Sequence, residues 1–561
     1  MKKSIIKSSA GIALGSALLL SQIGTAQAFS FNQGELRGAF DTDLTYGIAM
    51  RTEDADKNNL QAYGNRNFKD AGDVFSNAIR GSSTFALDYK NVGMLVRGNY
   101  FYDNAYDGER LARDAEDKLV SEFTFTDALV YAYFGDNDQL NIRLGKQVIS
   151  WGENTFIQGS LNDINTVDLN KLRQPGKALK DAFVGTNAAY ASYNIGDEWT
   201  VEGFYLFNFD PLITDPAGSF FATLDGVGAG GGFDGAGNGV LGENLPGPFG
   251  TPAGACISYD SVHCGLVGGN LVQVGTKWAK GGQYGLAIRK FMPGLFNGSE
   301  IAFYYQNLHD HLPIISTYNE TGTYFLEYLE NIERLGVSFN TNIAGWVIAG
   351  EYHVRKDAPI QMTAPVFNGL AGAGGALLGV PCTGSNCAVG DYRQGYELID
   401  RHQLQMTFQR IWGVGFMGAD ANSTLLEVAY GWADGLPDKN EALGNSARTV
   451  FTPQVTDHFW GFQVKQSLTY EAALFNVASV SPFIAFKYDV EGVSTEIVPL
   501  FVDDRKALTI GANFGYGGGT WSGGVSWTMF DGANAMLNQA GSRLNGRTDR
   551  DFIQANVSYS F

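Results

Sequence analysis

Asp551-Phe552-Ile553-Gln554-Ala555-Asn556-Val557-Ser558-Tyr559-Ser560-Phe561 closes the chain, with Ile, Ala, Val, Tyr and Phe at the odd positions and polar side chains at the even ones from Gln554. Successive side chains of a strand point to opposite faces, so this segment has one apolar and one polar face. A strand between lipid and a wet lumen needs that pair of faces. An edge strand of a soluble sandwich shows the same pattern, so the assignment depends on recurrence along the chain.

The pattern recurs. Phe40, Leu44, Tyr46, Ile48 and Met50 alternate with Asp41, Asp43, Thr45, Gly47 and Ala49. Residues 80–103 predict a hairpin about Lys90-Asn91, with Phe85, Leu87, Tyr89, Met94, Val96, Tyr100 and Tyr102 on one face and Arg97 and Asn99 on the other. Gly135-Asp136-Asn137-Asp138 has the residues of a short turn. Leu129, Tyr131 and Tyr133 before it are expected to share a face with Leu140, Ile142 and Leu144 after it, opposite Asn141, Arg143 and Gln147.

The same rule places strands at 36–50, 80–90, 92–103, 122–134, 139–150, 181–194, 198–208, 282–291 and 299–308. It continues at 332–341, 344–355, 398–410, 423–433, 457–469, 479–488, 505–516, 520–530 and 551–561. The total is about 18, within a range of about 14–20, and an even count is what a single-chain bacterial barrel requires.

The expectation is an all-β, transmembrane antiparallel β-barrel with long extracellular loops. With the N-terminus on the periplasmic side, alternate connections should be long and outside. These are 51–79, 104–121, 151–180, 209–281, 309–331, 356–397, 434–456, 489–504 and 531–550. Most inner connections are a few residues, although 411–422 and 470–478 run longer.

Residues 1–28 combine Lys2, Lys3 and Lys7, an apolar run from Gly11 to Leu20 and Ala26-Gln27-Ala28, the layout of a cleaved signal peptide. The run is too short for a spanning helix, which needs about 20 apolar residues. Residues 29–561 are expected to form a single outer-membrane β-barrel domain in a Gram-negative envelope.

Composition agrees: 72 Gly, 26 Tyr, 38 Phe and 9 Trp with 15 Pro favour strands and aromatic girdles over helices. The 58 acidic residues outnumber the 39 Lys and Arg, which argues against nucleic acid, whose binders present a basic face.

The four cysteines form two close pairs, Cys256 with Cys264 and Cys382 with Cys387. In an exported chain the expected reading is local disulfides in outside loops. A zinc site is the alternative, against the typical two-residue ligand spacing. The six histidines are scattered, and His309-x-His311 lacks a nearby third ligand. No Gly-x-Ser-x-Gly elbow occurs. No catalytic residue, cofactor or metal is therefore assigned.

Several blocks are similar to one family. Gly282-Gln283-Tyr284-Gly285-Leu286-Ala287, Glu300 to Tyr305, His311-Leu312-Pro313, Ser338 to Thr341, Pro359-Ile360-Gln361, Arg143 to Gln147 and Trp151-Gly152-Glu153 resemble the domain-of-unknown-function 1302 family of proteobacterial outer-membrane proteins. The long Gly-rich loop after Asp210 is where the chain looks unusual. The resemblance implies a barrel that moves hydrophobic or amphipathic, lipid- or steroid-like molecules across the envelope. It also implies two partners, a periplasmic lipid-carrier-like protein and an inner-membrane hydrophobe exporter. The residues themselves leave two alternatives: a general or anion-preferring porin with a water-filled lumen, and a surface adhesion or scaffold protein using 209–281.

Alternation turns Arg97, Arg143, Arg289, Arg355 and Arg401 toward the lumen, since a cation facing hydrocarbon at the midplane costs about 2–4 kcal/mol. They could form a basic wall opposite Glu351 and Glu427, or simply pair with carboxylates. Glu351, His353 and Arg355 share one face at a spacing of two, which favours a cross-strand network over a proton relay. Residues 150–180, with Trp151, Glu153, Asn154, Asn162, Asp163, Asn165 and Asp168, are too long for a plain turn. They can fold inward as a plug or constriction beside Gln147, cap the mouth, or pack as an outer loop.

Overall fold

The computed structural model describes residues 29–56, 63–109, 111, 113–176, 182–222, 229, 231–234, 239–241, 258–260, 263–264, 270–318, 323–362, 391–436, 455–533 and 545–561. The expected signal, 1–28, lies outside them, as do Cys256, Cys382 and Cys387. Cys264 ends a short hairpin with Ser258, and its side chain is not among those described.

Eighteen strands close into one antiparallel barrel. In chain order they begin with β1 Leu36–Arg51, β2 Val74–Tyr89, β3 Val92–Asp103, β4 Ser121–Phe134, β5 Leu140–Gln147 and β6 Thr186–Ile195. There follow β7 Trp199–Leu206, β8 Gln283–Met292, β9 Ser299–Leu308, β10 Ile332–Ile343, β11 Trp346–Gln361 and β12 Tyr396–Trp412. The last six are β13 Ala421–Asp434, β14 His458–Leu474, β15 Ala478–Glu491, β16 Arg505–Tyr516, β17 Trp521–Asp531 and β18 Phe552–Ser560. Each overlaps an expected strand.

The terminal strand that decided the fold also closes it. β18 pairs with β1 from Asp43↔Ser560 to Arg51↔Phe552. Thr42 and Phe561 then exchange backbone hydrogen bonds of 2.6 and 2.9 Å. Below them the short strand Phe29–Gln33 folds back on Leu36–Phe40. The edge of β1 that β18 does not reach is thereby paired, which removes an exposed strand edge.

The outer face is apolar: Leu286, Phe303, Leu335, Ile484, Ile510 and Trp527 are all exposed. Such a band is costly in water and is what hydrocarbon takes up. Aromatic groups mark both rims. His402 stacks on Trp432 at 4.6 Å at one end, and Arg410 lies 4.0 Å over Trp412 at the other. A closed barrel with this band and these girdles is a bacterial outer-membrane protein. No helix among the described residues is long and apolar enough to cross a membrane.

Two expectations need correction. The long inner connections shrink to residues 413–420 and 475–477, because β12 runs past the end of β11 and β14 past the start of β13. On β4 the face is reversed: Tyr131 stands opposite Arg143 and Tyr133 opposite Asn141, while Val130 and Ala132 face Leu144 and Ile142. Leu129, Tyr131 and Tyr133 thus turn to the lumen. A register shift between Arg97 and Gly98 adds one residue to β4 around Thr126-Asp127, and in a period-two element one residue inverts every side chain beyond it.

Candidate functional site

After Gln147 the chain leaves β5 and turns into the barrel. Asn165 closes the neck of this excursion, accepting from Ile149 N at 2.9 Å and donating to Ile149 O at 2.5 Å. Ile149, Trp151, Leu161 and Ile164 are buried against Ala188, Phe204, Ala287, Ala302 and Tyr304 on the inner faces of β6–β9. Each large side chain so covered contributes about 1.5–3 kcal/mol, enough to hold the segment on the wall. The small residues on those strands leave room for it.

Carboxylates on the facing wall then fasten the backbone. Glu351 on β11 accepts from Glu153 N at 2.6 Å and Leu161 N at 2.9 Å. Glu427 on β13 accepts from Thr155 N, Phe156 N and Ile157 N at 2.6–2.7 Å, and from Thr407 Oγ1 at 3.1 Å. Gln306 and Gln403 donate to Leu161 O and Gln158 O at 2.9 and 3.1 Å. Arg334 donates to Ser160 O and lies 3.5 Å from Asp163. Loop backbone that would otherwise be orphaned is in this way satisfied by side chains on five strands, β9 to β13.

Two glycines make the seat possible. Gly152 has φ +82° and any Cβ there would collide with the Glu351 carboxylate. Gly336 on β10 is where Leu161 lands, and a Cβ would meet its Cδ2 at 2.5 Å.

The segment continues across the bore. Asp168 caps the short helix Leu169–Leu172, and Lys171 bridges to Glu122 on β4 at 2.5 Å. Pro175 packs at Gly47 of β1 and Gly176 at Asn556 of β18. Residues 148–176 therefore run from β5 along β6–β13 and over to β1, β4 and β18, forming a constriction inside the barrel. Burial pushes the carboxyls of Glu153 and Asp168 above their ordinary range.

The five expected lumen arginines are spoken for. Arg97 pairs with Asp127 at 3.3 Å, and Arg289 with Glu202 at 2.7 Å and Glu300 at 3.1 Å. Arg355 pairs with Asp310 at 3.1 Å and Arg401 with Glu496. Arg143 bonds Asn141 and lies 5.0 Å over the Tyr190 ring. Arg334, Arg355 and Arg401 stand in register across β10, β11 and β12, and their acids come from three separate loops. Glu351 and Glu427 face no arginine wall; they hold backbone. Gln147 donates to Ala188 O at 3.1 Å, and His353 is buried one step below Arg355.

Trp151 Nε1 donates to Glu202 at 2.6 Å, Tyr190 donates to the same oxygen, and Arg289 bonds the other. Glu202, Arg334, Gln306 and Gln403 are members that sequence reading missed, although each occupies a lumen phase of its strand. His309 accepts from Asn331 N, and His311 lies between the carbonyls of Asp210 and Asp163. They pin loops together. No cluster able to hold a metal occurs among the described residues.

The other side of the lumen is open. Lys465, Lys487, Thr509, Asn513 and Gln554 on β14–β18 are partly exposed, whereas Gln306 and Glu427 are 0 % and Glu351 2 % exposed. Between residues 172–176 and this wall lies a cavity of about 360 Å³. Over Gln463–Ser467, Phe483–Asp489 and Arg505–Asn513 the inward-pointing ionisable groups are Lys465, Lys487 and Arg505 against Asp489. Asp41, Asp43 and Asp88 lie nearer the mouth at which Phe561 ends β18.

Residues 9–561 match the family described as protein of unknown function DUF1302. No curated protein matches the sequence. Solved structures similar in fold include Acinetobacter baumannii OccAB4, at 9% identity and a TM-score of 0.42, covering 94% of this chain and 99% of that one. Pseudomonas aeruginosa OpdK with vanillate is similar at 9% identity and a TM-score of 0.41, covering 93% and 98%. A BenF-like porin from Pseudomonas fluorescens Pf-5 is similar at 10% identity and 0.42, again covering 93% and 98%.

Proposed function

The chain belongs to the DUF1302 family, and on that premise we propose that it is a constricted porin-like channel through which small, water-soluble, anionic solutes diffuse. The observation that carries this reading is the uncovered wall of β14–β16, where three inward cations face the open lumen against one carboxylate. In a narrow, low-dielectric passage such an excess raises the local concentration of anions. The overall acidity of the chain does not oppose it, because selectivity is set at the narrow level.

A conduit for hydrophobic cargo needs an apolar groove or a lateral gap. Among the described strands every neighbouring pair of the barrel is hydrogen-bonded, including the short strands β5–β9, and the open lumen face carries Lys465, Lys487, Thr509, Asn513 and Gln554 around Phe483. The adhesion reading is also disfavoured by the first part of its loop, since Phe220 and Phe221 are buried with Phe75 and Phe552 in an internal core.

The test is single-channel recording in a planar bilayer under a KCl gradient. Discrete steady currents with a reversal potential of anion-selective sign are expected. Absence of steps, or cation-selective sign, would overturn the reading.

A further inference from the structure

At the end of the barrel that carries the short connections, the outward face of β11–β14 changes character between two successive rows of paired residues. One row, Ile348↔Phe408↔Leu426↔Val464, is apolar throughout. The next row on that face is Trp346↔Arg410↔Thr424↔Gln466. Both share the strand phase of Leu404 and Tyr430, which are exposed on the lipid side. Polar groups facing hydrocarbon are costly, so the step marks the level at which acyl chains give way to headgroups.

The polar row is held in one arrangement. Trp412 Nε1 donates to Thr424 Oγ1 at 2.9 Å, Thr424 Oγ1 donates to Gln466 Oε1 at 2.6 Å, and Gln466 Nε2 donates to Asn422 Oδ1. Trp346 and Trp412 meet edge to face, 5.6 Å apart at 85°. The Arg410 guanidinium lies 4.0 Å over the Trp412 ring and 5.6 Å over that of Trp346. Gly345, at φ +81° in the turn between β10 and β11, flanks it without a side chain, and a Cβ there would stand 4.0 Å away. Among the described residues the guanidinium makes no ion pair or hydrogen bond. Two rings therefore order it by cation–π attraction and leave its N–H fork free, the arrangement that a phosphate accepts from.

We propose that Trp346, Arg410 and Trp412 form a binding site for the phosphate of an anionic phospholipid in the leaflet at this end of the barrel, with its acyl chains along Phe408 and Leu426. The unpartnered cation supplies the charge complement of the headgroup, and the adjoining apolar row continues the lipid-facing band to receive the chains. A soluble anion would use only the first of these. The site lies outside the barrel and stands independently of the channel reading.

The experiment is native mass spectrometry of the full, detergent-solubilised barrel titrated with phosphatidylglycerol, phosphatidylcholine and inorganic phosphate. Phosphatidylglycerol is expected to be retained about tenfold more tightly than phosphatidylcholine, with no competition from inorganic phosphate. Arg410→Gln should bring the two lipids to parity. Lys290→Gln, which removes a cation stacked 4.7 Å from the Trp199 ring at the same rim, should keep the preference. Heat-modifiable migration on gels checks that each variant is a closed barrel. Equal retention of the two lipids, a preference that survives in folded Arg410→Gln, or one lost as fully in Lys290→Gln overturns the site. Displacement of the lipid by inorganic phosphate at matching concentration overturns the lipid assignment in favour of the free anion.

Discussion

Across the lumen, the inner faces of β8–β13 and of β14–β18 differ in what covers them. Ala287, Ala302, Ser338, Glu351 and Glu427 lie beneath residues 149–163 and are all but inaccessible, whereas Lys465, Lys487, Thr509 and Asn513 keep contact with the open bore. Both faces are built on the same alternating strands. The covered side pairs small residues with isolated carboxylates and amides that suit a peptide backbone, and the open side has long cations and hydroxyls that suit water. A barrel interior can thus be part core and part passage, the division being set by which wall residues complement a loop.

The largest effect should come from abolishing the covered side. Glu351→Ala combined with Glu427→Ala leaves five loop N–H groups without their carboxylate partners. Removing one partner of a buried charged network costs about 3–5 kcal/mol. The expected outcome is a lower unfolding temperature and a larger, noisier single-channel current. An unchanged current would show that the segment is held by its apolar side chains alone.

Next in size is the open side. Lys487→Glu leaves the Glu351 and Glu427 contacts to the inward segment untouched but reverses one charge of three, and should move the reversal potential toward cations while current is retained. A smaller effect is expected from Gly336→Val, which pushes Leu161 off its seat. Overpacking of this kind costs about 1–3 kcal/mol, visible as a lower melting temperature.

The smallest is Glu153→Gln. Burial raises this carboxyl, so ionised Glu153 destabilises the fold increasingly as pH rises through its unfolded value toward its raised folded one. The amide should therefore flatten that part of the stability profile, with little change in current.

The strands were legible because lipid on one side and lumen on the other impose a period of two, and the terminal aromatic strand showed it cleanly. The inward path of 150–180 was legible only as excess length and unusual composition. Its destination was not, since the partners of Trp151, Leu161 and the 155–157 backbone lie on distant strands, and Glu202, Arg334, Gln306 and Gln403 look like any lumen residue until the segment meets them. The reversal on β4 was hidden for a different reason. A bulge near Asp127 leaves the alternation on each side intact, so the pattern alone does not reveal that the phase has changed.

Substituted-cysteine labelling tests the division of the lumen most directly. In protein whose four native cysteines are changed to serine, Ser338→Cys and Thr509→Cys are each exposed to a small, charged, thiol-specific reagent. Thiol reactivity requires access, so residue 509 should label about tenfold faster or more, with residue 338 nearly inert until the protein is unfolded. Equal labelling of the two in the folded barrel would contradict the account.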